Sequence, residues 1–253
     1  MKISIITVCF DSEKTILDAI NSVKSQNYEH IEYIVIDGAS QDRTIEIINS
    51  NRVGINKLIS EPDLGIYDAM NKGINLASGE IIGFLNSDDV YYDSRVLEKI
   101  ANAFMRDPSL DAVYGDLLMV SPRDLSKVIR YWRPGSYCHG LCLRGWIPPH
   151  PTFYVKRSIL LRAGGFDLRY KLQSDVDLMM RLFEIIGISS IYLPSIFVKQ
   201  RFGGATTGNP INILRGNLEA ILSFRRNGFG FGFSFIIKKI LSRLGQFTSR
   251  PNN

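Results

Sequence analysis

Short apolar runs alternate along the first 85 residues with segments whose apolar positions recur every three or four residues. The apolar runs are rich in β-branched residues and predict buried strands, whereas the periodic segments predict helices with one buried face. The predicted strands are 3–8, 33–36, 57–59 and 80–85, and the predicted helices are 16–23, 42–50 and 66–77. This alternation predicts an α/β fold with a mostly parallel sheet flanked by helices and joined by right-handed crossovers.

The pattern is less regular from residue 111 onward, where glycine, proline, cysteine and histidine are concentrated between 133 and 151. We expect irregular loops there, because these residues favour turns over helices and strands. Further strands are predicted over 111–120, 128–132, 152–155, 189–193 and 196–202, and helices over 158–163, 174–186 and 210–226.

The end of the chain has a different pattern. Apolar residues at 233, 236, 237, 240, 241 and 244 share one face of a predicted helix, and Lys238, Lys239 and Arg243 lie elsewhere on it. A helix of this kind is typical of a segment that lies in a membrane interface, so membrane contact is predicted through 228–247. A helix docked on the domain and a contact between copies in a homo-oligomer are the alternatives.

Composition and charge narrow the class of protein. The three cysteines are widely spaced, which fits a reduced, cytoplasmic protein better than a disulfide framework. No apolar run is long enough to span a membrane, and no signal peptide is visible. The net charge of +5 suggests anionic partners. Nucleic-acid binding is not expected, because the basic residues are dispersed or lie in the amphipathic tail. Dinucleotide-binding and P-loop motifs are also missing.

Acidic and small residues follow the predicted parallel strands at 7–11, 37–38 and 86–89. Ligands of open α/β sheets bind beyond the carboxyl ends of the strands, so these residues are expected to form a site. Asp88 and Asp89 are adjacent carboxylates, which either face solvent in a turn or hold Mg²⁺ or Mn²⁺. Asp37 ends the second predicted strand, where a carboxylate can accept hydrogen bonds from a nucleoside. The alternative is that this strand end and its loop serve only to cap the next helix.

Asp175 lies in the first turn of the helix predicted to begin at Ser174. It either interacts favourably with the helix N-terminus or acts as a general base on an acceptor hydroxyl. The residue pattern alone does not choose between the two roles.

Six segments in this order resemble those of the family 2 glycosyltransferases, enzymes with the GT-A fold. They are ISIITVCFDSEKTILDAINSVKSQ, EYIVIDGASQDRTIEII, SEPDLGIYDAMNKGI, ASGEIIGFLNSDDVY, HPTFYVKRSILLRAGGFD and QSDVDLMMRL. The resemblance covers residues 1–206 and implies a nucleotide-sugar half over 1–120 and an acceptor half over 121–206. Residues 207–253 then form a separate helical segment.

The resemblance also implies roles for individual residues in this sequence. On the donor side, the implied contacts with the nucleotide sugar are Thr7, Asp37, Asp63, Asp68 and Asp88. Asp88 and Asp89 stand at the family's metal–diphosphate position, with Asp89 as the expected direct ligand of Mn²⁺ or Mg²⁺. On the acceptor side, Asp175 stands at the position of the catalytic base, and Trp146 and His150 line the site.

Departures from the family pattern refine this expectation. Asn86 and Ser174 stand where acidic residues are usual, and the Gln-x-x-Arg-Trp signature of processive synthases is missing. The resemblance therefore implies an inverting, metal-dependent, non-processive enzyme. It would move a hexosyl or N-acetylhexosaminyl group from a nucleoside-diphosphate sugar, commonly UDP-linked, to a hydroxyl of a glycan or lipid-linked glycan. The setting would be bacterial polysaccharide biosynthesis at the cytoplasmic face of the membrane.

Two other interpretations remain. A nucleotidyltransferase would require a basic, glycine-rich loop near the N-terminus, where residues 8–14 offer only Lys14. A catalytically inactive sugar-nucleotide-binding or scaffolding subunit at a membrane would not need Asp37, Asp88, Asp89 and Asp175 together.

Overall fold

The computed structural model describes residues 1–203, 210–230 and 246, and these contain a nine-stranded sheet with helices on both faces. The strands are β1 (Ile3–Cys9), β2 (Ile31–Asp37), β3 (Lys57–Ser60), β4 (Ile81–Phe84), β5 (Asp89–Tyr91), β6 (Ala112–Ser121), β7 (Asp124–Trp132), β8 (Tyr154–Lys156) and β9 (Ser190–Arg201). The helices are α1 (Ile16–Lys24), α2 (Thr44–Ser50), α3 (Ile66–Leu76), α4 (Val96–Arg106), α5 (Arg157–Arg162), α6 (Ser174–Met180) and α7 (Pro210–Arg226).

The first half of the sheet has the predicted parallel arrangement. Its strands lie in the order β3-β2-β1-β4, and every neighbouring pair is parallel. The connections contain α1, α2 and α3, so the strand–helix alternation read from the sequence is confirmed. The carboxyl ends of these four strands consequently lie along one edge of the sheet.

The second half of the sheet is mixed, which differs from the mostly parallel sheet expected. β8 is antiparallel to both β4 and β6, β6 is parallel to β9, and β5 and β7 run antiparallel to β9 and β6. β5 is only three residues long, too short for a period-two pattern to reveal. α4 was not predicted, although its buried residues Val96, Leu97, Ile100, Ala101 and Phe104 recur at helical spacing.

Two predicted elements differ in form. The two strands expected over 189–193 and 196–202 are one strand, β9, whose register against β6 shifts near Asp116. The helix expected over 174–186 is α-helical only to Met180 and continues as a π-helical segment, Arg181–Ile186. Both irregularities arise from tertiary pairing, which the local pattern does not encode.

The sheet separates two apolar cores because strand side chains alternate between its faces. In β1, Ile3 and Ile5 pack on one side with α1 and α4, while Ile6 and Val8 pack on the other with α3 and α6. Gly83 of β4 is required by close packing, since a Cβ there would lie 2.2 Å from the Tyr154 ring. The alternation of side chains along each strand also decides which polar side chains face the carboxyl-end edge and which point into a core.

α7 packs against the domain. Its residues Ala220 and Phe224 are buried in the same core as α6, and Ser223 donates a hydrogen bond to Asp177 of α6 at 2.7 Å. Residues 210–226 of the segment predicted to be separate thus lie on the domain surface. The predicted amphipathic positions 233–244 lie outside the described residues. Over the part of the chain that is described, no helix combines the length and apolar character needed to cross a membrane.

Glu32 is a buried carboxylate at the edge of the sheet opposite the carboxyl ends of the parallel strands. It bonds residues from three neighbouring segments of the chain. Glu32 of β2 accepts hydrogen bonds from Ser4 Oγ at 2.6 Å and from the Ser78 amide at 2.7 Å. Lys57 Nζ lies 3.0 Å from Glu32 Oε1. Burial by itself disfavours the charged form, but the bonds from Ser4, Ser78 and Lys57 outweigh it and lower the pKa of Glu32 to about 2.

We expect Glu32→Gln to destabilise the domain at pH 7 by about 1–3 kcal/mol, because the serine and lysine donors lose their anionic partner. Since the folded-state pKa lies below the ordinary value of 4.5, the carboxylate's contribution is complete above pH 4.5 and declines as the pH falls toward 2. Urea unfolding of both proteins at several pH values measures this. An equal difference between wild type and variant at pH 7 and near pH 2 would contradict the assignment.

Candidate active site

A cavity of about 1450 Å³ opens where β1 and β4 end, with the loops between β7 and β8 and the start of α6 forming the rest of its wall. Of the predicted site residues, the cavity is lined by Asp63, Asp88, Trp146, His150 and Asp175. Thr7, Asp37, Asp68 and Asp89 do not line it. The structure thus brings the predicted base, one acid of the Asp-Asp pair and both predicted acceptor-side residues into one chamber.

The alternation of β1 explains the position of Thr7. Its side chain points to the core beneath α1 and α4, where Oγ1 donates to the Leu85 carbonyl at 2.7 Å and accepts from Tyr33 at 3.1 Å. The Thr7 hydroxyl therefore joins β1 to the end of β4. The expected contact between Thr7 and the nucleoside base stays a prediction.

Asp37 is fully buried at the end of β2 and shapes the adjacent loop. Its carboxylate accepts from the Ser40 amide at 3.0 Å and from Ser60 Oγ at 2.8 Å. Ser40 Oγ in turn accepts from the Asp11 amide at 2.9 Å. This network makes Asp37 a support for the cavity wall. The expected contact between Asp37 and the nucleoside stays a prediction.

Three residues form the wall above Asp37. Asp11 has φ 45°, a left-handed conformation that aspartate and asparagine tolerate better than most residues. Gly38 packs against Asp63, and a Cβ at that position would lie 2.6 Å from Asp63 Oδ2. Gly38 thus leaves room for the Asp63 carboxylate, which also accepts from the Gly65 amide at 2.8 Å.

Asp68 faces away from the cavity, in the first turn of α3. It accepts from the Leu64 amide at 3.0 Å and lies 3.7 Å from Lys72 Nζ. These contacts stabilise the start of α3. The expected nucleotide contact at Asp68 stays a prediction.

Asp88 and Asp89 differ in position. Asp88 lines the cavity, whereas Asp89 begins β5 and is fully buried. The expectation that Asp89 is the direct metal ligand stays a prediction. Neither Asp89 oxygen makes a hydrogen bond of normal geometry, although Gln200 and Arg201 lie nearby. Arg201 donates to the Asp88 carbonyl at 2.7 Å and to Asp18 Oδ2 at 2.5 Å. It thereby joins the end of β9 to the acidic turn.

The oxygen atoms at this turn fit a hard divalent cation. Burial raises the pKa of Asp88, and burial followed by repulsion from Asp88 raises that of Asp89, so the nearby Arg201 charge only partly compensates the anionic forms. The side-chain oxygen of Asn86 is also buried without a hydrogen-bond partner. Across the described residues no three His, Cys, Asp or Glu side chains form a metal cluster. Mg²⁺ and Mn²⁺ sites with one or two carboxylates are completed by substrate phosphates and water.

Asp175 lines the cavity from the first turn of α6 and accepts a hydrogen bond from Tyr67 at 3.0 Å. Tyr67 comes from α3 and stacks on Phe166, with ring centroids 5.4 Å apart. Burial and then the Asp175 charge raise the pKa of Tyr67 well above its ordinary value, so its hydroxyl remains a donor. The pair therefore orients the Asp175 carboxylate while leaving it beside the cavity.

His150 and Trp146 lie on the same side of the cavity as Asp175. Burial lowers the pKa of His150, an effect that outweighs the nearby Asp175 charge, so the imidazole is neutral at pH 7. His150 packs against Phe84 at 5.2 Å between ring centroids, and Trp146 donates from Nε1 to the Pro134 carbonyl at 2.7 Å. Both rings are held in place by these contacts.

α7 supports the segment that carries Asp175. Glu219 accepts from the backbone amides of Lys171, Leu172 and Gln173 at 3.0, 2.8 and 3.0 Å. A carboxylate at these amides also favours the N-terminal end of α6 electrostatically. The position of Asp175 therefore depends on a helix that follows it by about 35 residues.

The sequence reasoning missed three residues of this site: Tyr67, Trp132 and Arg201. Tyr67 lies inside one of the motifs that carry the resemblance, which was the available signal. Arg201 gave none, because its contact with Asp88 joins residues 113 positions apart. Trp132 was predicted as a strand residue, and only the fold brings it to the cavity.

The family model named Glycosyl transferase family 2 matches residues 4–162, more than half of the chain. The chain therefore belongs to glycosyltransferase family 2, and it is an enzyme of the glycosyltransferase class. The resemblance read from the six motifs is confirmed.

Two curated relatives illustrate the similarity. A PGL/p-HBAD biosynthesis glycosyltransferase of Mycobacterium bovis (strain BCG / Pasteur 1173P2) is 28% identical over 196 residues, covering 73% of this chain and 71% of the relative. The amylovoran biosynthesis glycosyltransferase AmsB of Erwinia amylovora is 23% identical over 229 residues, covering 82% of this chain and 73% of the relative.

Solved structures share the fold. S. aureus TarS 1–349 in complex with UDP has a TM-score of 0.67 at 19% identity, covering 94% of this chain and 68% of that one. The mannosyltransferase PcManGT from Pyrobaculum calidifontis, in complex with GDP-Man and Mn²⁺, has a TM-score of 0.67 at 18% identity, covering 95% and 68%. These similarities confirm the predicted GT-A fold.

Proposed function

We propose that this protein is an inverting, metal-dependent, non-processive glycosyltransferase. It moves a hexosyl or N-acetylhexosaminyl group from a nucleoside-diphosphate sugar to a hydroxyl of a glycan or lipid-linked glycan. The observation that carries the proposal is that Asp88 and Asp175 line one cavity. A site for a diphosphate-bound cation and a carboxylate for proton transfer therefore share a chamber large enough for a nucleotide sugar.

A UDP-sugar is the proposed donor, in bacterial polysaccharide biosynthesis at the cytoplasmic face of the membrane. The UDP complex of TarS supports this nucleoside, and the GDP-Man complex of PcManGT supplies the alternative to test. The name of the amylovoran relative supports the polysaccharide setting.

These positions support a direct displacement with inversion as the proposed mechanism. Asp175, oriented by Tyr67, takes the proton of the acceptor hydroxyl as its oxygen attacks the anomeric carbon. The bond from that carbon to the donor phosphate oxygen breaks, and the nucleoside diphosphate leaves with the electron pair. Asp88 would hold Mn²⁺ or Mg²⁺, which when bound neutralises charge on the leaving diphosphate. Neutral His150 lines the acceptor side without competing for the proton.

The donor and metal are tested together by thermal unfolding with UDP, GDP, CMP and dTDP, each with and without Mn²⁺. UDP with Mn²⁺ at 100 times its Kd should add about 2.7 kcal/mol, which raises Tm by roughly 5–10 °C. Mn²⁺ alone should shift Tm little, because a carboxylate lining the cavity needs the phosphates to complete the site.

Asp88→Asn is the matched variant. It should lose the Mn²⁺-dependent part of the shift yet be no less stable than wild type without ligand, since burial disfavours the Asp88 charge. A full Mn²⁺-dependent shift in Asp88→Asn would remove Asp88 from the metal site. A folded wild-type sample that responds to no nucleotide would favour a non-enzymatic, scaffolding role.

The proton acceptor is tested by two variants of one hydrogen-bonded pair. Asp175→Asn should abolish sugar transfer, and Tyr67→Phe should lower kcat by about tenfold, the loss of roughly 1.5 kcal/mol from one charge-assisted hydrogen bond. Both variants should keep the nucleotide-induced Tm shift of wild type. Near-normal turnover of Asp175→Asn would remove this residue from the base role.

Peripheral membrane contact through 228–247 is part of the proposal, although most of that segment lies outside the described residues. The adjoining helix α7 supports it, because Ile211, Leu214, Leu218 and Leu222 form one apolar stripe and are between 47% and 64% exposed. Arg225 and Arg226 follow at its end. Anionic lipid headgroups would attract such flanking charges.

Flotation of the full chain with vesicles tests this contact. Replacing Lys238, Lys239 and Arg243 with Gln should weaken binding to anionic vesicles by on the order of a hundredfold, at about 1 kcal/mol for each charge. Unchanged flotation would assign the segment to the domain or to a contact between copies of the chain.

A further inference from the structure

Both tryptophans of the chain line the same cavity. Trp132 ends β7, and Trp146 follows the short helical turn Cys142–Arg144. The Trp146 indole packs against Tyr114 and Tyr137, with centroid distances of 5.7 and 5.4 Å, and is fixed by its bond to the Pro134 carbonyl. Rigid indole rings provide flat apolar surfaces on which the C–H faces of sugar rings stack.

Charge is segregated within the cavity. Lining residues from the segment 117–151 include three arginines and no Asp or Glu: Arg130, Arg133 and Arg144. The acidic lining residues come from elsewhere: Asp11, Glu13, Asp42, Asp63, Asp88 and Asp175. Asp175 lies beside Trp146 and His150, whereas the other acidic lining residues come from segments 11–88, together with Lys14. The lining from 117–151 is thus basic and aromatic, and most of the acidic lining lies outside it.

The arginines are positioned by aromatic groups. Arg130 is 5% exposed, with its guanidinium 5.0 Å from the centroid of Trp132 and its Nε donating to Gln246 Oε1 at 2.7 Å. Arg133 lies 5.9 Å from the Tyr131 ring centroid. Neither Arg133 nor Arg144 forms a salt bridge with a carboxylate among the residues that the structure describes.

Arg133 interacts with Tyr192 and with the charge of Asp116, and these interactions raise its pKa. Asp116 accepts hydrogen bonds from Tyr131 and Tyr192, both at 2.6 Å. Arg133 also precedes Pro134, whose carbonyl holds Trp146. The basic residues therefore adjoin the side of the cavity where Trp146 and His150 lie.

We infer that Trp132, Trp146, Arg130, Arg133 and Arg144 form an acceptor subsite for a saccharide that carries an anionic group, a phosphate or a carboxylate. The inference rests on the proposed function, since it takes Asp175 as the base beside which the acceptor hydroxyl lies. Guanidinium groups bind phosphate and carboxylate through paired, charge-assisted hydrogen bonds. The indole rings stack on the sugar, and the arginines bind its anionic group.

Tryptophan fluorescence tests the subsite, because all tryptophan emission comes from its two indoles. Enzyme saturated with UDP and Mn²⁺, which occupy the donor side, is titrated with methyl glycosides of glucose, galactose, mannose and N-acetylglucosamine. The 1-phosphates of the same sugars, methyl glucuronide and inorganic phosphate follow. At least one anionic sugar should bind tenfold or more tightly than its neutral counterpart. A preferred 1-phosphate identifies a phosphate group, and a preferred glucuronide identifies a carboxylate.

Arg133→Gln combined with Arg144→Gln should abolish this preference. Arg123→Gln, an exposed change in the turn between β6 and β7 that removes one positive charge, should keep it, and each single variant, Arg133→Gln and Arg144→Gln, is its charge-matched counterpart. Equal binding of neutral and anionic sugars overturns the inference, as does inorganic phosphate binding as tightly as every sugar phosphate. The Tm shift caused by UDP and Mn²⁺ is measured on each sample. If wild type shows no shift, the proposed function is contradicted. If wild type shows the shift but no preference for anionic sugars, only the subsite is contradicted.

Discussion

The cost of removing carboxylates from water constrains the whole cavity edge. Asp89 is fully buried at the start of β5, and Asp88 lies beside it at the cavity. Arg201 reaches this turn from β9 and bonds both the Asp88 carbonyl and Asp18 of α1. One guanidinium thus links the parallel half of the sheet to its mixed half. The charge that remains uncompensated at Asp88 is available to a cation.

The proposed base is held by a similar connection between distant segments. Tyr67 of α3 bonds Asp175 of α6, and Glu219 of α7 binds the amides that precede α6. α3 belongs to the parallel half, whereas α6 and α7 come from the later part of the chain. The Tyr67–Asp175 bond therefore joins the parallel half to the later part of the chain, and Glu219 fixes α7 to the start of α6 within that later part.

The two walls of the cavity suit two different tasks. Carboxylates on the donor side favour a metal-bound diphosphate, and arginines with indoles on the other side favour an anionic sugar. Opposite charges kept apart across one chamber would orient two substrates without pairing with each other. Neutral His150 and the apolar rings around it lie on the acceptor side, next to Asp175.

The sequence by itself determined the parallel half of the fold, the family, and the presence of Asp63, Asp88, Trp146, His150 and Asp175 at the cavity. Periodicity and strand-end positions predicted the parallel half and Asp88, because parallel strands align their carboxyl ends. The resemblance of the motifs to a known family supplied Asp63, Trp146, His150 and the role of Asp175. Only the tertiary structure decided the mixed second half and the inward side chains of Thr7, Asp37 and Asp89. It also decided the contacts of Tyr67, Trp132 and Arg201. A side chain's direction and its distant partners depend on strand register and on packing between segments, which no local pattern specifies.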